Sequence, residues 1–215
     1  TYGFPSISKD GSLFAASQSQ RGFNLYVSPA SQPDQADAPI SSNEDLKFMS
    51  WTPANELLID QGAGRTLLAL SSDGRSRRTL LQDPAKNVTG PLSCGAGKYI
   101  VYTSIAGGHS TVWRMQADGA NPVQLTNGVD DTAEFCSPNG KWVYILDETK
   151  NQFRRVSVEG GKPQPVALPQ QNRFASISPD GHSVAMFDDL EGKLKLVICD
   201  PDSGATRHSF TPDPR

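Results

Sequence analysis

A short phrase recurs along this chain at nearly constant spacing. Ser8-Lys9-Asp10-Gly11 returns as Ser137-Pro138-Asn139-Gly140 and as Ser178-Pro179-Asp180-Gly181. Weaker copies, Thr52-Pro53-Ala54-Asn55 and Cys94-Gly95-Ala96-Gly97, fill the interval. Their last residues fall at 11, 55, 97, 140 and 181, so the steps are 44, 42, 43 and 41. Five such units tile all 215 residues. Self-similarity at this period restricts the fold to an array or ring of one repeated supersecondary unit.

A second turn mark trails each phrase: Ser28-Pro29-Ala30, Ser72-Asp73-Gly74, Ala117-Asp118-Gly119, Glu159-Gly160-Gly161 and Asp202-Ser203-Gly204. Gly, Asp and Asn tolerate the positive φ that tight turns require. Four short apolar runs surround the two marks. In the fourth unit they are Thr132 to Cys136, Trp142 to Leu146, Phe153 to Val158 and Pro165 to Leu168. In the fifth they are Phe174 to Ser178, Val184 to Phe187, Leu194 to Cys199 and Thr206 to Phe210. The runs are rich in β-formers, and helical periodicity is absent. Four strands per unit predict an all-β, antiparallel β-propeller, one domain over 1–215. The predicted blades are 1–41, 42–86, 87–129, 130–171 and 172–215. Five blades are visible, either as a closed ring or as part of a larger ring of six to eight. The second is the expectation, because the tail Thr211 to Arg215 reads as a connection into another strand. The chain opens on Thr1 rather than Met, which points to processing or to a cut from a longer polypeptide.

Composition removes other classes. Lys+Arg is 20 against Asp+Glu 23, a formal charge of -3, which argues against nucleic acid as a partner. No apolar run is long enough to insert in a membrane, and no signal peptide is visible. Cys94, Cys136 and Cys199 stand singly in apolar runs, so buried free thiols are expected.

No catalytic constellation emerges. Gly74-Arg75-Ser76-Arg77-Arg78 and Gly108-His109-Ser110 do not make a nucleophile elbow. Gly62-Ala63-Gly64 and Gly95-Ala96-Gly97 lack the following helix that a phosphate loop needs. His109, His182 and His208 fall at three different points of the repeat, so a histidine zinc site is not expected. A central-metal lyase would need several acidic or histidine side chains in the channel, and the inner strands offer only Glu134. The chain is therefore read as a non-enzyme with no cofactor and no metal.

The acidic residues are the candidate binding set. Asp130, Asp131 and Glu134 enter the fourth unit, Asp147 and Glu148 follow its second strand, and Asp188 and Asp189 do so in the fifth, with Glu191 beyond. In a propeller these two kinds of connection emerge on one face. Such a face could take a basic segment of a protein or peptide partner, or a hard cation. The competing reading is ordinary solvated loops, with Lys150 and Arg173 partly neutralising them. Arg75 to Arg78 read as charges that protect an outer sheet edge. Arg154-Arg155-Val156-Ser157 has the pattern of a kinase site but lies on a predicted strand. Phe4, Phe48 and Phe174 recur at one register position, as packing residues do, and Trp113 and Phe153 are read in the same way.

The anchor phrases resemble the WD-like repeat of TolB-type propellers. The resemblance rests on Phe135-Cys136-Ser137-Pro138-Asn139-Gly140-Lys141-Trp142-Val143-Tyr144, on Ile177 to Ala185, and on Val112 to Gly119 followed by Val123-Gln124-Leu125-Thr126. It covers all five units, and the second and third units depart most from the motif. It implies a non-catalytic scaffold that binds or senses a protein or peptide, in a bacterial setting that is either periplasmic or otherwise extracytoplasmic, or soluble, with the compartment left open. Similar propellers also gate substrate in prolyl-oligopeptidase-type peptidases, which gives the alternative: a gating propeller whose catalytic domain lies elsewhere. A propeller fold by itself specifies no function.

Overall fold

The computed structural model describes residues 2–19, 23–33, 39–44, 46–62, 64–169, 172–190 and 193–211. Twenty strands form five separate four-stranded sheets, the five blades of a β-propeller. Blade one holds β1 (Tyr2–Ile7), β2 (Leu13–Ser19), β3 (Phe23–Pro29) and β4 (Ser41–Glu44). Blade two holds β5 (Leu46–Trp51), β6 (Glu56–Gln61), β7 (Thr66–Ser71) and β8 (Arg77–Gln82). Blade three holds β9 (Asn87–Cys94), β10 (Tyr99–Ala106), β11 (His109–Gln116) and β12 (Val123–Gln124). Blade four holds β13 (Asp131–Cys136), β14 (Trp142–Asp147), β15 (Gln152–Ser157) and β16 (Gln164–Pro165). Blade five holds β17 (Asn172–Ile177), β18 (Val184–Leu190), β19 (Lys193–Cys199) and β20 (Thr206–Phe210).

The first sheet runs to Glu44 rather than stopping at 41, because β4 pairs with β3 there. The outer strand of blade four is shorter than the sequence suggests. Pro165 has no N–H for the ladder, and only Val166 continues the pairing, through Phe153 O at 3.2 Å.

The recurring phrase is a hydrogen-bonded turn. In blade four the Ser137 hydroxyl donates to Asn139 Oδ1 at 2.7 Å and accepts the Trp142 N–H at 2.9 Å. Asn139 Oδ1 also accepts the Lys141 N–H at 3.0 Å, and the Gly140 N–H closes the turn on Ser137 O at 2.8 Å. Gly140 has φ +70°, and a Cβ there would strike the backbone of Gly95 in the preceding blade. Ser8 with Asp10 and Ser178 with Asp180 repeat the same bonds. The motif is thus a device for turning the chain tightly at a blade edge.

Every innermost strand carries one extra residue against its neighbour. The bulges free backbone N–H groups, and those of Gly90 and Ala133 bond to side chains of the preceding blade. Buried Asp60 accepts the Phe48 N–H of its own bulge at 2.8 Å, and the Thr89 hydroxyl and Gly90 N–H of blade three. Thr103 accepts the Ala133 N–H of blade four at 3.0 Å.

The core is divided among the blade junctions. One cluster joins blades one and two through Leu25, Trp51 and Leu57; a second joins two and three through Leu58, Ile100 and Met115. A third joins three and four through Val101, Val143 and Ile145; the fourth joins four and five around Phe153 and Met186. Phe153 is 1% exposed, in keeping with its packing role.

The expectation of three free thiols is corrected. Cys94 and Cys136 form a disulfide, with Cα atoms 5.6 Å apart. They end β9 and β13, one repeat length apart, so the ring brings them side by side. Cys199 is buried outside that pair.

Candidate binding rim of blade four

The connection into blade four and the β14–β15 turn adjoin, as the topology requires. The Glu148 N–H donates to Asp130 O at 2.8 Å. On its other side Asp130 bridges Ser110 of blade three, whose N–H lies 3.4 Å from Asp130 Oδ1. The loop is therefore pinned to two blades. Within it Val129 is 56% exposed, with Glu148 exposed and Asp130 half-buried beside it.

Beneath the loop the register places Asp131 directly opposite Asp147. Like charges in that position repel. Arg154 resolves the conflict by reaching both: its Nη2 contacts Asp131 Oδ1 and lies 3.2 Å from Asp147 Oδ2. A guanidinium suits this role because its planar fork presents several donors at once. Asp147 also accepts from the Thr149 hydroxyl at 2.6 Å and from Lys150 Nζ at 3.2 Å. Burial pushes the Asp147 carboxyl upward, and these donors together with Arg154 outweigh it and hold it below the usual range. Gly128 rests against Asp131, where an added Cβ would collide with the carboxylate.

Glu134 occupies the bulge of β13 and is half-buried. Burial raises its carboxyl, opposed by hydrogen bonds from the Ala175 N–H of blade five and from Thr132. The Thr132 hydroxyl lies 3.2 Å from Glu134 and 3.3 Å from Glu148.

The structure thus gathers five of the seven acidic candidates in blade four and divides them. Asp131 and Asp147, 1% and 4% exposed, face inward onto Arg154. Glu134 ties blade four to blade five. Asp130 and Glu148 remain at the surface. Asp188 and Asp189 lie on β18, Asp188 opposite both Asn172 and Lys195, and Asp189 opposite Leu194. Their side chains, that of Arg173 and all of Glu191 fall outside the described residues. Arg154 and Val129 were not singled out by sequence reasoning as site residues. The usable signal for Arg154 was the pair of aspartates that the strand register sets face to face.

Elsewhere several charges are engaged. Arg78 reaches Glu56 at 3.2 Å and Ala117 O at 3.1 Å, and Arg155 stacks over Trp142 at 4.6 Å. The three histidines are exposed and lie apart on β11, in a turn of blade five and on β20. No group of three or more His, Cys, Asp or Glu able to hold a metal occurs among the described residues. None of their helices is long and apolar enough to cross a membrane.

No protein-family model matches the sequence, and no curated protein matches it. Solved structures do. The putative TolB from Agrobacterium tumefaciens is similar over 98% of this chain and 82% of its own, with TM-score 0.79 at 18% identity. TolB from Acinetobacter baumannii is similar over 99% of this chain, with TM-score 0.80 at 17% identity. The fold is that of the TolB propellers. The chain spans 55% of the Acinetobacter TolB, so much of that protein has no counterpart here. A propeller in a nidogen/laminin complex is similar over 97% of this chain and 79% of its own, with TM-score 0.77 at 10% identity.

Proposed function

We propose that this TolB-like propeller is a non-catalytic scaffold that binds a protein partner through a basic, partly apolar segment seated on the rim of blade four. The observation that carries the reading is Val129, exposed next to Asp130, whose carbonyl accepts the Glu148 N–H, on a loop bonded to two blades. A fixed apolar contact flanked by carboxylates complements a segment that alternates cationic and aliphatic side chains. Asp188 and Asp189 lie on the corresponding strand of the next blade, β18. The nidogen/laminin structure shows a propeller of this shape in a complex with another protein, which supports a binding role.

The test uses fluorescent peptides of alternating Arg and Leu, with Glu-Leu peptides as controls, titrated against the chain. Binding of the basic peptides should weaken about tenfold or more in Asp130→Lys/Glu148→Lys, and more steeply at low salt than at high salt. Affinity untouched by that double variant, with its circular dichroism and melting curve unchanged, would remove this site.

A further inference from the structure

Asparagine stands directly before glycine twice in this chain, at Asn127–Gly128 and at Asn139–Gly140. Such a pair carries a latent reaction. The backbone nitrogen of the glycine can attack Cγ of the asparagine, an intramolecular step that needs only the right approach. Glycine favours it, because no Cβ obstructs the closing ring. Both asparagines are exposed, so exposure does not separate them. Their hydrogen bonds do. Asn139 Oδ1 accepts the Ser137 hydroxyl at 2.7 Å and the Lys141 N–H at 3.0 Å, and the Gly140 N–H donates to Ser137 O at 2.8 Å. The side-chain carbonyl and the attacking nitrogen are thus both engaged in one blade-edge turn. Gly140 is also buried and seated against Gly95 of the preceding blade.

Asn127 is not held in this way. Thr126, before it, is buried and exchanges hydrogen bonds with Val112 of β11. Asp130, beyond it, bridges Ser110 and accepts from Glu148. Between these anchors neither the Asn127 side chain nor the Gly128 N–H makes a hydrogen bond among the described residues, and no strand includes either residue. Glycine at 128 is imposed by the fold, since a Cβ there would collide with the Asp131 carboxylate. We infer that Asn127–Gly128 is a site of spontaneous self-modification, a slow one-way change of charge in the loop that carries Val129. The Gly128 nitrogen bonds to Cγ of Asn127, the Cγ–Nδ2 bond breaks, and the displaced group leaves as ammonia with the Gly128 proton. Water then opens the cyclic imide. Breaking the bond from the imide nitrogen to Cγ restores the main chain and leaves aspartate. Breaking its bond to the Asn127 backbone carbonyl carbon leaves isoaspartate, with the main chain routed through Cγ. Nothing is oxidised or reduced. Either product sets a new carboxylate just before Val129 and Asp130.

The test keeps the folded 215-residue chain at neutral pH for days and follows both asparagine peptides by mass spectrometry. The Asn127 peptide should convert to a mixture of isoaspartate and aspartate, the former confirmed by labelling with an isoaspartyl methyltransferase. The Asn139 peptide should convert about a hundredfold or more slower, the worth of three ordinary hydrogen bonds that must open first. In urea the two should convert at rates within a few-fold of each other. Asn127→Gln should abolish the change at that position, because a larger ring closes far more slowly. Comparable rates for the two peptides in the folded chain, a difference that survives unfolding, or aspartate without isoaspartate would each overturn the inference. The effect on binding rests on the role proposed above for the rim. Asn127→Asp should bind the Arg-Leu peptides about threefold more tightly, and more so at low salt. Unchanged affinity in that variant, beside normal conversion of Asn127, would overturn the rim's part and leave the chemistry standing.

Discussion

Reducing the Cys94–Cys136 disulfide should cost the protein a large part of its stability, and the size of the loss follows from the loop it closes. The two cysteines are 42 residues apart in sequence and fasten the inner strands of blades three and four. In the chain-entropy model a loop of that length removes about 13 cal/mol/K from the unfolded ensemble, or about 4 kcal/mol at 25 °C. For a domain of this size each kcal/mol moves the melting temperature by roughly 2–4 °C, so reduction should lower it by about 8–16 °C. The assay is a pair of melts followed by circular dichroism, with and without a phosphine reductant, beside Cys94→Ala/Cys136→Ala. Reduced wild type isolates the crosslink, because both sulfurs still fill their sites. The double variant should melt near reduced wild type and be insensitive to reductant. In a repeat fold the loss should concentrate at the junction that the bond spans, so amides of β9 and β13 should lose most protection from exchange. Three titratable thiols in non-reducing denaturant would refute the pairing. An unchanged melt after confirmed reduction would refute the claim that this loop constrains the unfolded chain.

Arg154→Met should destabilise by about 3–5 kcal/mol, read as a lower urea midpoint, because it strands two buried carboxylates. Gly119→Ala should cost about 1–3 kcal/mol or more, since φ is +92° and the added Cβ meets the Leu80 carbonyl of the preceding blade. Gly160→Ala, at φ +102° in open space, should cost less in the same assay. Acid should weaken the blade-edge turns. Hydrogen bonds from Ser8 and Ser12 hold Asp10 at about 2, and a bond from Ser178 lowers Asp180. A depressed carboxylate stabilises fully above its unfolded value near 3.9 and loses that contribution as pH falls toward the folded value. The melting temperature should therefore drop between about pH 4 and pH 2, and less so in Asp10→Ala/Asp180→Ala, which an equal drop in both proteins would contradict.

Much of this fold is legible because the repeat states it five times. Ser, Asp or Asn, and Gly at fixed offsets are the donors, acceptors and positive-φ residue of one turn, so the phrase carries its own geometry. Strands follow from the apolar runs between turns. What the sequence conceals are contacts between units. Asp60 looks like a polar accident within Leu57 to Leu68, yet it receives three hydrogen bonds from two bulges. Cys94 and Cys136 look solitary until the ring sets their strands side by side, and only their separation of one repeat length hints at it. The acidic rim was visible as a run of Asp and Glu around blade four. Its division into buried and exposed members was not, because burial depends on pleat and register rather than on composition.

The Asp131–Arg154–Asp147 network is not something the fold demands. The rung that pairs Asp131 with Asp147 pairs Tyr2 with Gln18 in blade one and Asn172 with Asp188 in blade five. Arg154, opposite Ile145, has as counterparts Tyr26 opposite Ala16, Trp113 opposite Tyr102 and Val197 opposite Met186. Nor is the network well satisfied, for Asp131 Oδ2 and Arg154 Nε are buried without hydrogen-bond partners. Each such atom costs on the order of 1–3 kcal/mol, and apolar replacement of a whole buried ion pair is often neutral or stabilising. What the network does support is the loop above it, whose Gly128 lies on the Asp131 carboxylate. Asp131→Val/Asp147→Val/Arg154→Leu should therefore keep or raise the melting temperature while exchange at the amides of residues 128–130 speeds up and basic peptides bind less tightly. If the triple variant binds as well as wild type and its loop amides exchange no faster, the network does not hold Val129 in place, and the rim owes its order to the Glu148 and Ser110 backbone contacts alone.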